Sequence, residues 1–372
     1  MKKTLFLFSM CFVVLICQNV IGGVNSKVIG GYWENWKPAI NPGQGTTSDP
    51  SYYMNDIKNV NHIYYSFLTL VKTPNPDSPP VAQWDGTAIY ESMTQAPILD
   101  TMDPKNYNYK WQGDKIRALQ QACKDNNTKF IWAIGGWSDL TKTISNEQVT
   151  FFVGQCVALL ENSGDGIDFD WEHLSSNDDI KSQQRRILGK IFPALRKALD
   201  NNSMSDKLIG YTTRFNSFWN PPPEGVTVYP SDGEGIDIDD QLKQDGSSFA
   251  KAVNWANIMM YDVPPSDLGA PDNKLTLDNY KQVLSYFDKY MPKYLIVMGF
   301  EPGAQAAGGN WEGMEVDKSV INFVQENGYG GIMFWAINQP VLPPSTENTG
   351  KNSQILAEYA ATQFTTKAIK KL

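Results

Sequence analysis

The run Asp165-Gly166-Ile167-Asp168-Phe169-Asp170-Trp171-Glu172 sets four carboxyl groups among apolar residues. Side chains alternate along an extended strand, so Asp168, Asp170 and Glu172 share one face and Ile167, Phe169 and Trp171 the other. If the apolar face packs on helices, the acids point into an interior. Like charges in a poor dielectric push one another's proton affinity up, so some of these groups hold protons at neutral pH. A carboxylic acid kept protonated is what general-acid catalysis needs. Glu172, last in the run, is expected at a mouth as the proton donor. Asp170 is expected to share or pass the proton, and Asp168 to lie deeper and hold Asp170 in place. Two plainer readings compete. The strand could be a solvated edge, which the alternating apolar residues and its central position oppose. The acids could bind Mg²⁺ or Ca²⁺, but three rungs of one strand make poor ligand geometry, and neither metal nor cofactor is expected.

Such a strand needs a scaffold buried on both faces. Short apolar runs at 28–33, 62–68, 129–135, 166–172, 207–213, 255–261, 295–299 and 331–336 read as eight strands. Helical patterns fall between them at 114–126, 147–162, 180–200, 277–291 and 317–327, with 353–363 closing the series. Ser145 and Gln148 can form a capping box. Eight strand–helix steps predict an α/β fold, the (β/α)₈ TIM barrel, over residues 24–365. No glycine-rich phosphate loop follows the first strand, which argues against a doubly wound sheet. Long polar loops are expected at 72–112 and 215–248, on the catalytic face. Residues 366–372 read as a short basic tail.

Residues 1–23 read as a secretory signal peptide: a basic start at Lys2 and Lys3, an apolar stretch, then small residues. The apolar core is short for a membrane span. An extracellular location is expected, with no membrane attachment after cleavage. The chain carries 372 residues and a formal charge of −8, or −10 once those two lysines are gone. That excess of acid argues against nucleic acid as a partner and suits a neutral polymer. Of 4 cysteines, Cys123 and Cys156 lie outside the leader, where they either pair or remain buried thiols, the latter preferred. Asn126 and Asn201 head glycosylation sequons.

The pattern Asp165-x-x-Asp168-x-Asp170-x-Glu172 resembles the signature of family 18 glycoside hydrolases, the chitinase family. Three other segments are similar to that family's, in the same order: Ala133-Ile134-Gly135-Gly136-Trp137, Met259-Met260-Tyr261-Asp262 and Met333-Phe334-Trp335. The resemblance implies hydrolysis of β-1,4 bonds between N-acetylglucosamine units with retention, the substrate's acetamide serving as nucleophile. It implies that Glu172 is acid and then base, that Asp170 holds the acetamide N–H, and that Tyr261 aligns its oxygen. Asp168, Asp170, Glu172 and Tyr261 form the implied catalytic set. Trp335 would be the floor under the sugar, with Asp262, Gly135, Gly136, Trp137, Met259, Tyr32 and Phe67 around the substrate. Gly135 and Gly136 would let backbone approach the sugar.

Each supporting residue has a plainer reading. Trp335 could be barrel core, Tyr261 and Asp262 strand-end residues, and Trp137 and Trp311 ordinary packing. Tyr32, Trp33 and Phe67 divide between interior and cleft wall in a way the sequence leaves open. His62 and His173, the chain's 2 histidines, are read as structural. The chain departs from the family pattern at Ala133, where a serine is usual, and at His173, where a tyrosine is common. The stretch 300–316 is too short for the α+β insertion many relatives carry, which implies an open cleft and endo cleavage. A monomer is expected. The alternatives are an endo-β-N-acetylglucosaminidase on N-glycan cores and a chitin-binding lectin.

Overall fold

The computed structural model describes residues 27–71, 81–84, 87–88, 107–137, 144–172 and 178–369, apart from 223, 225, 227–228, 230, 271–273, 307–309 and 344. The proposed leader, His173 and the last three residues lie outside the described residues.

Ten strands are described: β1 (Val28–Glu34), β2 (His62–Val71), β3 (Val81–Trp84), β4 (Thr87–Ala88), β5 (Lys129–Gly135), β6 (Gly166–Asp170), β7 (Leu208–Arg214), β8 (Trp255–Met259), β9 (Ile296–Phe300) and β10 (Gly331–Phe334). β1 pairs with both β10 and β2, so eight parallel strands close into a ring, in the order β1-β2-β5-β6-β7-β8-β9-β10. This is the expected TIM barrel. β3 and β4 form an antiparallel hairpin on the end of β2, which runs past the barrel rim. Part of the stretch expected as loop is therefore strand.

Helices alternate with the strands: α1 (Met54–Ile57), α2 (Tyr107–Asp125), α3 (Val149–Asn162), α4 (Asp178–Asn201), α5 (Glu234–Gln244), α6 (Phe249–Ala252), α7 (Leu277–Phe287), α8 (Met314–Glu326) and α9 (Thr349–Ile369). The capping box forms as expected: Ser145 caps a 3₁₀ turn that leads into α3. α9 runs on to Ile369, into the stretch expected as tail. The expected loop 215–248 contains α5, whose buried Ile238 and Leu242 lie one turn apart on one face. Between β9 and α8 the short connection leaves no room for a domain. Among the described residues no helix is long and apolar enough to cross a membrane.

Strand alternation sorts the core into two shells. Trp33, Ile63, Ile167, Phe169, Trp171, Ile209 and their neighbours face the helices. Tyr32, Tyr64, Ile131, Ala133, Trp255, Val297 and Met333 fill the barrel. Cys123 and Cys156 are free and buried, with burial pushing both thiols well above their usual range. The Asn126 amide donates to the Ile57 carbonyl and the Thr128 hydroxyl, which ties that sequon into the wall, while Asn201 is exposed.

Candidate active site

In β6 the two-residue period turns Asp168 and Asp170 into the barrel, and Glu172 stands just past the strand's end. Asp168 is fully buried, yet ringed by donors. Tyr32 Oη (2.6 Å) and Thr212 Oγ1 (2.7 Å) donate to its Oδ2, and Trp255 Nε1 (2.8 Å) to its Oδ1. Asn257 Nδ2 steadies Thr212 at 2.9 Å. Burial raises the Asp168 carboxyl, and the bonds from Tyr32, Thr212 and Trp255 pull it back.

Asp170, one rung up, is nearly as buried but has no such ring, and its Oδ1 has no hydrogen-bond partner. Burial, then the charges of Glu172 and Asp168, raise its proton affinity far above the usual carboxylate range. Arg214 opposes this from β7, and Glu234 adds to it. Of the strand's acids, Asp170 is the one whose hold on a proton is raised furthest. One expectation, that Asp168 holds Asp170 in place, is corrected. Asp168 acts on it through charge, its own oxygens being taken up by Tyr32, Thr212 and Trp255.

Glu172 accepts a 2.6 Å hydrogen bond at Oε2 from Arg214 Nη2. Burial opposes the Arg214 charge, but Glu172, Asp170 and Asp262 more than offset that and raise it. Its guanidinium also lies 5.9 Å from the ring centre of Trp137, which is 67% exposed. Arg214 was missed at the sequence level. The signal was present: Thr212 faces inward, so the residue two further on must as well.

Tyr261 follows β8, in phase with the inward Trp255, Asn257 and Met259. Burial, then Asp170, Glu301, Glu172 and Asp262, raise its hydroxyl far above 10, so it stays a donor. Across the ring, Trp335 follows β10, four strands from β6 in either direction. It stacks on Phe67 at 5.6 Å and 17°, and Trp36 lies 6.3 Å from Phe67 and 6.4 Å from Trp335. The peptides Ser66–Phe67 and Trp335–Ala336 are both cis. Trp36, 48% exposed, was also missed, because it lies in the turn after β1, where alternation gives no guide.

Other expected residues fall elsewhere. Tyr32 is buried under the cleft, bonded to Asp168, so it supports the acids rather than touching substrate. A side chain on Gly135, at φ +115°, would meet the Asp170 carbonyl at 2.0 Å, and one on Gly136, at φ +78°, the Phe67 ring at 2.7 Å. Gly136 N–H donates to the Asp170 carbonyl at 2.8 Å. These glycines thus bring β5 against the catalytic strand and the floor, not against the sugar. Met259 is an inner core residue at the site's edge. Asp262, at φ +54°, donates its N–H to Gln305 Oε1. Trp311 donates to Asp317 and so anchors the start of α8. His62 sits at the opposite, N-terminal end of β2, its affinity for a proton lowered to about 4 by burial and Lys129. Among the described residues no cluster could hold a metal ion.

The arrangement sets the acids Asp170 and Glu172 on one side of the barrel mouth, with the Tyr261 phenol as a donor and an aromatic platform four strands round the ring. It can protonate a leaving oxygen while a flat apolar ring rests on the platform.

Sporulation-specific chitinase 2 of Saccharomyces cerevisiae is 29% identical over 204 residues, 50% of this chain but 36% of that protein. The alignment thus spans about a third of that relative's length. A Cycas revoluta chitinase solved with (GlcNAc)3 superposes with a TM-score of 0.57 at 16% identity, covering 90% of this chain and 99% of that one. Catalytic domain 2 of the Ostrinia furnacalis Group II chitinase gives 0.57 at 14%, covering 91% and 97%. These two show the shared fold. Residues 28–312 match the family described as glycosyl hydrolases family 18, and the chain belongs to that family.

Proposed function

We propose that this chain is a secreted, monomeric chitinase that cleaves β-1,4 bonds between N-acetylglucosamine units internally and with retention. The observation that carries the reading is the inward pair Asp170 and Glu172 facing Trp335 across the barrel mouth. An N-acetylglucosamine ring stands on Trp335, its scissile oxygen toward Glu172. Asp170 holds the proton at rest and passes it to Glu172, which gives it to the leaving oxygen. The acetamide oxygen, aligned by the Tyr261 hydroxyl, attacks the anomeric carbon as that bond breaks. Asp170, now a carboxylate, accepts the acetamide N–H and steadies the cationic ring. Glu172 then takes a proton from the attacking water, which restores one proton to the pair. The short 300–316 connection leaves the cleft open, which favours endo action.

A second reading, a sugar-binding protein without turnover, is favoured by the Arg214–Glu172 ion pair. If Arg214 keeps Glu172 engaged and turned away from the scissile oxygen, the sugar binds and is not cut. One experiment separates the two: chitin oligomers of defined length are incubated with the chain and with Glu172→Gln. The hydrolase reading expects internal cleavage with retained anomeric configuration, lost by roughly 10⁴-fold in the variant while binding remains. Binding without cleavage by the unaltered chain would establish the lectin reading instead. Export is checked by the mass of the mature chain from culture medium.

A further inference from the structure

Arg214 stands among the acids of the barrel mouth, and the proposed hydrolytic step gives it no part. It ends β7, the strand between the acids of β6 and the phenol that follows β8. Parallel register fixes its height. Thr212 lies opposite Asp170, so Arg214, two residues on, stands level with Glu172. On its other side it lies opposite Met259, one inward step below Tyr261.

Because the two residues are level on neighbouring strands, the 2.6 Å bond from Arg214 Nη2 to Glu172 Oε2 runs along the barrel wall, not across the lumen. Such a bond turns the Glu172 carboxyl without drawing it out of the cleft. It takes up Oε2 and leaves Oε1 for the leaving oxygen. Arg214 can act as a brace because it is held in turn: its guanidinium lies against the Trp137 ring, and the charges of Glu172, Asp170 and Asp262 draw on it. A planar fork of donors can keep several such contacts at once, where a compact ammonium would not.

The same charge bears on the proton. The other groups around Asp170 and Glu172 are Asp168 on their own strand, Tyr32 on β1, Glu234 on α5, and Tyr261 past β8 with Asp262 beside it. The acids among these make a proton harder to release, and Arg214 works the other way, since a cation at hydrogen-bond distance favours the carboxylate form. An acid that holds its proton too tightly is a poor donor.

We propose that Arg214 is the positioning residue of the acid step: it aims the Glu172 carboxyl at the leaving oxygen and keeps the Asp170–Glu172 pair able to release its proton. This rests on the hydrolase reading for the step that Arg214 serves.

The test compares Arg214→Gln and Arg214→Lys with the unaltered chain on chitin oligomers of defined length, each variant first checked for folding by circular dichroism and urea unfolding. Glutamine removes both charge and fork. It should lower kcat roughly a hundredfold and leave KM within about twofold. It should also move the alkaline limb of the kcat–pH profile up by about one pH unit, because the pair keeps its proton to higher pH once the cation is gone. Lysine returns the charge without the fork, so the limb should return to its place while kcat recovers only in part. A residue that merely supports the fold would change unfolding and leave the limb where it is. The proposal is overturned by a limb that stays put in Arg214→Gln, by a loss confined to KM, which would make Arg214 a sugar contact, or by faster turnover, which would make it a latch on Glu172. If the unaltered chain cuts no oligomer, the hydrolase reading fails instead, and the hold of Arg214 on the pair is judged by carbon-13 NMR titration of the Asp170 carboxyl, identified by its loss in Asp170→Asn. A midpoint that rises by about one pH unit in Arg214→Gln supports that hold, and an unmoved midpoint overturns it.

Discussion

Asp168 and Asp170 are the same residue type two positions apart on one strand, and they live in opposite conditions. Around Asp168 the barrel supplies Tyr32, Thr212 and Trp255 as donors. Around Asp170 it supplies more negative charge and leaves one oxygen bare. The lower layer is a satisfied polar core of the kind that fixes a unique packing. The upper layer stores an unmet demand that only a ligand or a proton can answer. On the proposed reading, depth along one strand thus separates the residue that holds the barrel from the residue that works in it.

Exchanging the two effects by mutation tests this most severely. Asp170→Asn should cut turnover of chitin oligomers roughly a thousandfold, since the relay loses its proton carrier, while urea unfolding shifts by no more than about 1 kcal/mol. Asp168→Ala should do the reverse in kind. It strands three buried donors and should cost about 3 kcal/mol of stability or more. If Asp168→Ala unfolds at the same urea concentration as the unaltered chain, the lower layer is not structural and the contrast fails. Tyr261→Phe probes the upper layer again and should lower kcat about a hundredfold with little change in unfolding.

A smaller effect lies behind β7. Glu234 on α5 is 2% exposed, bonds Thr213 at 3.2 Å, and burial lifts it from 4.5 to about 7. A carboxyl raised on folding binds more protons in the native state than in the unfolded one. Stability is then greatest below about pH 4.5 and falls as pH climbs to about 7, where this contribution levels off. Urea unfolding from pH 5 to 7.5 should show about 2 kcal/mol of decline from this group. Glu234→Gln should flatten that part of the slope, leaving the share that Glu34, also raised to about 7, contributes in the same window.

Much of the upper layer was legible in advance because alternation is a local rule. It placed Asp168, Asp170 and Glu172 on one face, and the same rule would have turned Arg214, Glu34 and Glu301 inward had it been carried to every strand end. It could not reveal that Asp170 is the acid whose proton affinity rises furthest, because that depends on burial and on the charges packed around it. Tyr32 looked like cleft wall because its depth along β1 is a matter of barrel closure, not of sequence. α5 was read as loop because its acidic residues masked the Ile238–Leu242 spacing.

The smallest effect concerns the one platform residue outside the strand pattern. Trp36 is half exposed, stacks on Phe67 at 6.3 Å and 28°, and hydrogen-bonds the buried Glu34 carboxyl. Trp36→Ala should therefore cost only about 1 kcal/mol of stability, from the lost bond to Glu34. It removes one aromatic face from the platform, worth about 1 kcal/mol, and should raise KM for long oligomers about fivefold. The shortest cleavable oligomer, held on Trp335 alone, should feel little of this. A KM that rises equally for every length would place Trp36 under the reacting unit itself, and a kcat that falls with it would move Trp36 from the rim into the layer that works.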